Sequence, residues 1–172
     1  DEVYADGVDL RRLRLAEVRK NIAYSGPIAE LYMGTLRSNL LGPDAEPIEP
    51  RAVAAQVADV LEPGGEIRPV LSEEPGERPA DARLLRAVHA ADGADVLSST
   101  EGGLDGQVAE RGRSMSGGQR QRAALARALA LDAPVTILVE PTSAVDSHTE
   151  SRIAERLADC RAGKTTIVAT VS

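Results

Sequence analysis

Apolar positions along this chain fall into a few short runs and faces, and these set the expected elements. Between Ala80 and Ala91, the residues Leu84, Leu85, Val88 and Ala91 recur at helical spacing and predict a helix with one apolar face. A second helix is predicted from Ser116 to Leu131. The run Val135-Thr136-Ile137-Leu138-Val139 is short, apolar and rich in β-branched residues, which predicts a buried strand. Asp146 to Ala162 returns to helical spacing, with Ile153, Leu157 and Cys160 on one side and Gly163 closing the helix. Thr165 to Val171 predicts another strand. Upstream, Val3 to Ile22 mixes short extended runs with a turn at Ala5-Asp6-Gly7, and Leu10 to Val18 has helical potential. Strand, helix, strand with apolar runs is the pattern of a parallel α/β sheet.

The stretch from Pro43 to Pro79 breaks this pattern, holding seven of the ten prolines and nine acidic residues against three arginines. Proline removes backbone donors and interrupts helices, so a loop-rich surface insertion is expected, with at most one short helix near Arg51 to Leu61. Of the chain's net charge of -7, this stretch carries -6, leaving -1 for all the rest. The length of 172 residues suits one domain or part of a larger one. With 42% hydrophobic and 27% charged residues, neither disorder nor a fibrous protein is expected. No apolar run reaches the length of a membrane span, and Asp1-Glu2-Val3-Tyr4 does not begin a signal peptide, so the chain reads as cytosolic. Acidity, together with only Tyr4, Tyr24 and Tyr32 as aromatics, argues against nucleic acid as a partner. The single Cys160 excludes an internal disulfide and is expected to be a small packed residue. With two His, no metal site of the usual N/S ligands is expected.

Chemistry concentrates in Ser114-Met115-Ser116-Gly117-Gly118-Gln119-Arg120-Gln121-Arg122. Ser116 suits a helix N-cap, and Gln119, three positions on, completes a capping box. Gly117 and Gly118 leave the first helical amides uncovered, and such a terminus suits a terminal phosphate. Downstream, the strand runs into Glu140-Pro141-Thr142-Ser143-Ala144-Val145-Asp146. A carboxylate at the end of a buried parallel strand lies where α/β folds bind ligands, and Glu140 there suits polarising a water. Asp146 is expected to cap the next helix, His89 and His148 to be surface or capping residues, and Arg122 and Arg127 to be solvated on the helix surface.

These segments together resemble the ATP-binding cassette (ABC) family: Met115 to Gln119 looks like its LSGGQ signature with Met for Leu, and Ile137 to Asp146 like its Walker B strand and D-loop. Leu31 to Leu40 is similar to the segment after the Q-loop of ABC exporters, and Gly103-Leu104-Asp105 with Val108 to Gly112 to the stretch before the signature. The resemblance implies a P-loop NTPase-like parallel sheet core with a helical signature subdomain. It divides the chain into core and Q-loop region (1–42), acidic Pro-rich insertion (43–79), helical subdomain with signature helix (80–131), and Walker B, D-loop and last strand (132–172). It also implies ATP contact through Ser116, Gly117, Gly118 and Gln119, a catalytic role for Glu140, and dimer communication through Ser143 and Asp146.

The chain departs from the family in four places. It contains no Gly-x-x-x-x-Gly-Lys-Ser/Thr, and its only lysines are Lys20 and Lys164, so a nucleotide-binding domain piece that starts downstream of the P-loop is expected, with an incomplete core and no activity by itself. Aligned with the family, Val139 stands at the Walker B Asp, Pro27 at the Q-loop Gln and Val171 at the switch His. Valine offers no oxygen to a hard cation, so no metal ligand is assigned.

ABC domains pair head to tail, and these three losses would degrade the chain's own site while Ser116 to Gln119 serves the opposite one. The resemblance therefore implies the degenerate half of an asymmetric exporter at the cytoplasmic face of the cell membrane. Its partners would be a second, non-identical nucleotide-binding domain and transmembrane domains, with ATP and Mg²⁺ bound in the assembled dimer. Two other readings are a non-catalytic, nucleotide-dependent dimerisation module and a soluble ABC ATPase of the chromosome-maintenance or repair kind. Gly34-Thr35-Leu36-Arg37 weighs against the latter.

Overall fold

A three-stranded parallel sheet carries the chain's apolar runs. The structure, a computed structural model, describes residues 3–5, 7–42, 79–109 and 112–171, so the Pro-rich stretch up to residue 78 and the short helix expected near Arg51 to Leu61 lie outside the described residues. At the amino end, Gly7 (φ 77°) turns the chain between the antiparallel strands β1 (Tyr4–Ala5) and β2 (Val8–Asp9), where the turn was expected.

The expected helix from Leu10 to Val18 is split. A 3₁₀ turn at Leu10–Arg12 is capped by Asp9, and Leu13 and Arg14 are extended. Helix α1 (Leu15–Asn21) then starts afresh, because Glu17 accepts from the Arg14 backbone N–H. Strand β3 (Ile22–Ser25) follows at once, and periodicity alone gave no sign of it because Ile-Ala-Tyr-Ser is too short and mixed to stand out.

Downstream come β4 (Gly34–Thr35), α2 (Leu36–Leu41), α3 (Pro79–Ala90), α4 (Ala94–Ser99) and β5 (Gln107–Val108), which pairs antiparallel with β4. Helix α5 (Gly117–Ala130), β6 (Val135–Val139), α6 (Ser147–Cys160) and β7 (Thr165–Ala169) complete the chain within a residue or two of expectation, save that β7 ends at Ala169, short of Val171.

In the sheet, β6 is central, with β3 parallel on one side and β7 on the other. Thr136 and Leu138 of β6 are fully buried on the face that α5 covers. Ile137 lies in register between Tyr24 and Ile167, and among the described residues that face keeps Tyr24 63% and Ile167 50% exposed. The continuous apolar run of β6 is thus buried on one face and half-covered on the other, because pleating sends alternate side chains to opposite sides. Cys160 also departs from expectation: it is the last residue of α6 and is exposed among the described residues, though burial still pushes its thiol pKa up.

Two ionic knots join the helical part to the rest. Arg37 of α2 pairs with Asp81 of α3 and with Asp105 (2.8 Å), which holds its guanidinium firmly charged. Asp92, in the left-handed region (φ 52°) between α3 and α4, accepts from Arg152 (2.6 Å) and Arg156 (2.7 Å) of α6. Burial raises the Asp92 pKa, but the Arg152 hydrogen bond and the surrounding arginine charges outweigh it and leave the carboxyl below its usual range. The start of α5 lies beside the turn after β6, where Gly118 approaches the Ala144 carbonyl.

Candidate functional site

Ser116 caps α5 as its sequence predicts. Its Oγ accepts from the Gln119 amide (3.1 Å), and the Gln119 Oε1 accepts from the Ser116 amide (2.9 Å). The amides of Gly117 and Gly118, in the first helical turn, have no acceptor within the helix.

The two glycines differ. A side chain at Gly117 would meet nothing closer than an Arg120 guanidinium nitrogen at 4.0 Å, whereas a Cβ at Gly118 would lie 2.9 Å from the Ala144 carbonyl oxygen. One glycine leaves backbone open; the other lets the helix touch the turn after β6. Gln119 also donates through Nε2 to Asp95 (3.2 Å) and Ser99 (3.5 Å) of α4, so the helical part steadies the cap from behind.

The arginines are not solvated as expected. Arg122, 12% exposed, pairs with Asp95, and Arg127 donates to the carbonyls of Asn39 (2.7 Å) and Glu30 (2.8 Å) while lying 5.3 Å from the Tyr32 ring centre. Each fastens α5 to a neighbouring segment, which a helical pattern cannot reveal because the acceptors are far off in sequence. Arg120 folds back onto the Met115 carbonyl (2.6 Å).

At the carboxyl end of β6, Glu140 is in the left-handed region (φ 52°), its amide donating to Ala169 (2.8 Å) and its carboxylate accepting from the Val171 amide (2.5 Å). Strands β3, β6 and β7 run parallel, so Pro27, Glu140 and Val171, which follow their carboxyl ends, share one edge of the sheet. Val139 ends β6 opposite Ala169, and Val171 is 92% exposed. Ser143 donates its hydroxyl to the Glu140 carbonyl (3.2 Å).

Asp146 caps α6, accepting from the amides of His148 and Thr149 (both 3.0 Å) and from the Thr149 hydroxyl (2.8 Å). Those hydrogen bonds, the Thr149 amide first, lower its pKa from 3.8 to about 2. A depressed carboxyl stabilises the fold above its unfolded value and loses that contribution as pH falls through its folded value. The first turn of α6 should therefore loosen between pH 3.8 and about 2, read by amide exchange, and Asp146→Asn should remove that pH dependence.

Two residues emerge that sequence reasoning did not single out: Asp95, which gathers Gln119 and Arg122, and Gln121, whose side chain reaches Glu140, Ser143 and Ala144. Asp95 gave no local signal. Gln121 gave one, since it continues the buried stripe of Leu125 and Ala128 at helical spacing, and a polar residue there must have partners.

The open amides at Gly117 fit a phosphate. A hard cation finds less at the sheet edge: Pro27, Val139 and Val171 carry no side-chain oxygen, and Glu140 is taken by a backbone amide. The chain's own edge does not suit Mg²⁺.

A sequence profile described as ABC transporter matches residues 1–143. The ATP-dependent lipid A-core flippase of Vibrio vulnificus (strain CMCP6) is 34% identical over 167 residues, covering 97% of this chain and 23% of the relative. The beta-(1-->2)glucan export ATP-binding/permease protein NdvA of Rhizobium johnstonii (strain DSM 114642 / LMG 32736 / 3841) is 34% identical over 130 residues, covering 74% of this chain and 22% of the relative. A solved structure of a bacterial Atm1-family ABC exporter with ATP bound has the same fold, with a TM-score of 0.68 at 23% identity over 98% of this chain and 24% of that one. The chain spans about a quarter of the length of these proteins.

Proposed function

This chain belongs to the ABC transporter family, and from that premise we propose that it is part of a nucleotide-binding domain that couples ATP binding and hydrolysis to membrane export. Its contribution is the signature helix. ATP would lie between Ser116 to Gln119, where the Gly117 and Gly118 amides are open, and the P-loop of a second, non-identical nucleotide-binding domain, paired head to tail at the cytoplasmic face of the membrane. In this reading 1–42 and 132–172 are core, 43–79 an insertion and 80–131 the helical subdomain. Among the described residues no helix is long and apolar enough to cross a membrane. In this reading transmembrane domains are partners in transport, by likeness to the exporter relatives.

The observation that carries this reading is the contrast between two surfaces. The start of α5 is capped, glycine-opened and braced by Asp95, while the sheet edge has Pro27, Val139 and Val171 where polar groups would act on nucleotide. ATP, when bound, would supply the γ-phosphate that water attacks, and Mg²⁺ held on the partner's side would offset its charge. This chain's residues would donate amide hydrogen bonds to the γ-phosphate, stabilising the charge spread over its equatorial oxygens in the transition state.

Glu140, held by the Val171 amide and without a cation ligand beside it, is a weak catalyst in its own site. Ser143 and Asp146 sit on the turn that faces the partner. Restoring Val139→Asp, Pro27→Gln and Val171→His together should leave ATP turnover of the assembled transporter within about twofold of the native value, since the competent site is the partner's. A large gain in turnover would show that this chain's own site limits catalysis and would overturn the asymmetric reading.

A further inference from the structure

We infer that Gln121 is a positioning residue that locks the signature helix to the turn bearing Glu140, Ser143 and Asp146, so that the chain's contributions to both ATP sites move as one unit. The inference rests on the proposed reading of the signature.

Gln121 is only 6% exposed, one turn into α5, and its amide is fully used. Its Nε2 donates to the Glu140 carbonyl and to the Ser143 Oγ, and its Oε1 accepts from the Ala144 amide, each at 2.8 Å. The turn's own hydrogen bonds are longer: the Ser143 amide to the Glu140 carbonyl at 3.4 Å, and the Val145 amide to the Thr142 carbonyl and the Ser143 hydroxyl to the Glu140 carbonyl, each at 3.2 Å. Glu140 meanwhile holds a left-handed conformation that a side chain rarely adopts unsupported. The turn is therefore shaped by α5 more than by its own hydrogen bonds. One helical turn earlier, Gly118 brings the backbone of α5 against the Ala144 carbonyl, giving a second point of contact on the same face. With two fixed points, the start of α5 cannot shift against the turn.

The consequence is mechanical: nucleotide held by the signature amides fixes the Glu140–Asp146 turn, and displacement of that turn is transmitted to the amides. Within the described residues, the Gln121 side chain alone of α5 bonds to three residues of this turn.

The test uses the assembled transporter with Gln121→Leu, which removes all three bonds, and Gln121→Glu, which keeps the volume and the acceptor toward Ala144 but sets an oxygen against the Glu140 carbonyl. Turnover is counted per mole of nucleotide trapped by a non-hydrolysable ATP analogue, so loss of folded protein does not register. Both variants should turn over about tenfold more slowly with KM for ATP within about twofold, as misplaced but occupied sites do. The Gln121→Glu deficit should narrow as pH is lowered, because a protonated carboxyl regains a donor, while the Gln121→Leu deficit should not.

Native turnover per bound nucleotide in both variants would overturn the inference, as would a Gln121→Glu deficit that ignores pH. Ser116→Arg in the same assembly separates the two levels: if it spares turnover, the signature assignment itself falls, whereas if it abolishes turnover and the Gln121 variants do not, only the role of Gln121 falls.

Discussion

Replacing Ser116 with Arg should abolish ATP turnover by the assembled transporter while leaving the chain folded. Three physical effects act together. The Oγ that accepts from the Gln119 amide at 3.1 Å is lost, and removal of such a cap costs about 1 kcal/mol of helix stability. A guanidinium is brought to the positive end of the α5 dipole, where cations are disfavoured. Its long side chain also lies over the open backbone at Gly117, the space a phosphate needs. The cap alone is a small loss, so melting should shift by only a few degrees, while loss of preorganised donors should lower turnover by about a hundredfold or more. Phosphate release at saturating ATP and a thermal melt measure the two separately. Ser116→Thr, which keeps a hydroxyl at the cap, should retain most of the turnover. Native turnover in Ser116→Arg would remove the phosphate site from the start of α5.

The paired glycines give the second large effect, and they should fail in different ways. Gly117→Ala adds a methyl to open space and removes a helix-destabilising glycine, so stability should be kept or raised by up to about 1 kcal/mol. That methyl stands over the first amides, so turnover should nonetheless fall steeply, with ATP affinity falling too. Gly118→Ala sets a Cβ 2.9 Å from the Ala144 carbonyl, a backbone atom that cannot swing aside. Relief requires moving α5 away from the turn, at about 1–3 kcal/mol, and carries Gln121 with it. Chemical denaturation of both variants beside their turnover distinguishes the roles: equal stability loss would mean that both glycines serve packing.

Much of this organisation was readable in advance. The capping box of Ser116 and Gln119, the limits of β6, the N-cap at Asp146 and the helix from Ala80 are local features, set by residues within a few positions of one another. The split at Leu13 and Arg14 was missed because one carboxylate, Glu17, decides it. Arg122 and Arg127 were misread for the opposite reason. Their partners Asp95, Asn39 and Glu30 are brought near only when α2, α4 and α5 pack, and no spacing rule reports them.

By itself the sequence determined the motif order, the apolar identity of Pro27, Val139 and Val171, and the acidic weight of 43–79, since these are matters of residue identity. The tertiary structure decided which groups act together. Parallel pairing of β3, β6 and β7 gathers Pro27, Glu140 and Val171 at one edge, the Val171 amide occupies the Glu140 carboxylate, and Gln121 ties that edge to the signature helix. The physical reason is that hydrogen bonds and close backbone approach act over about 3 Å, a distance that chain folding sets and sequence separation does not.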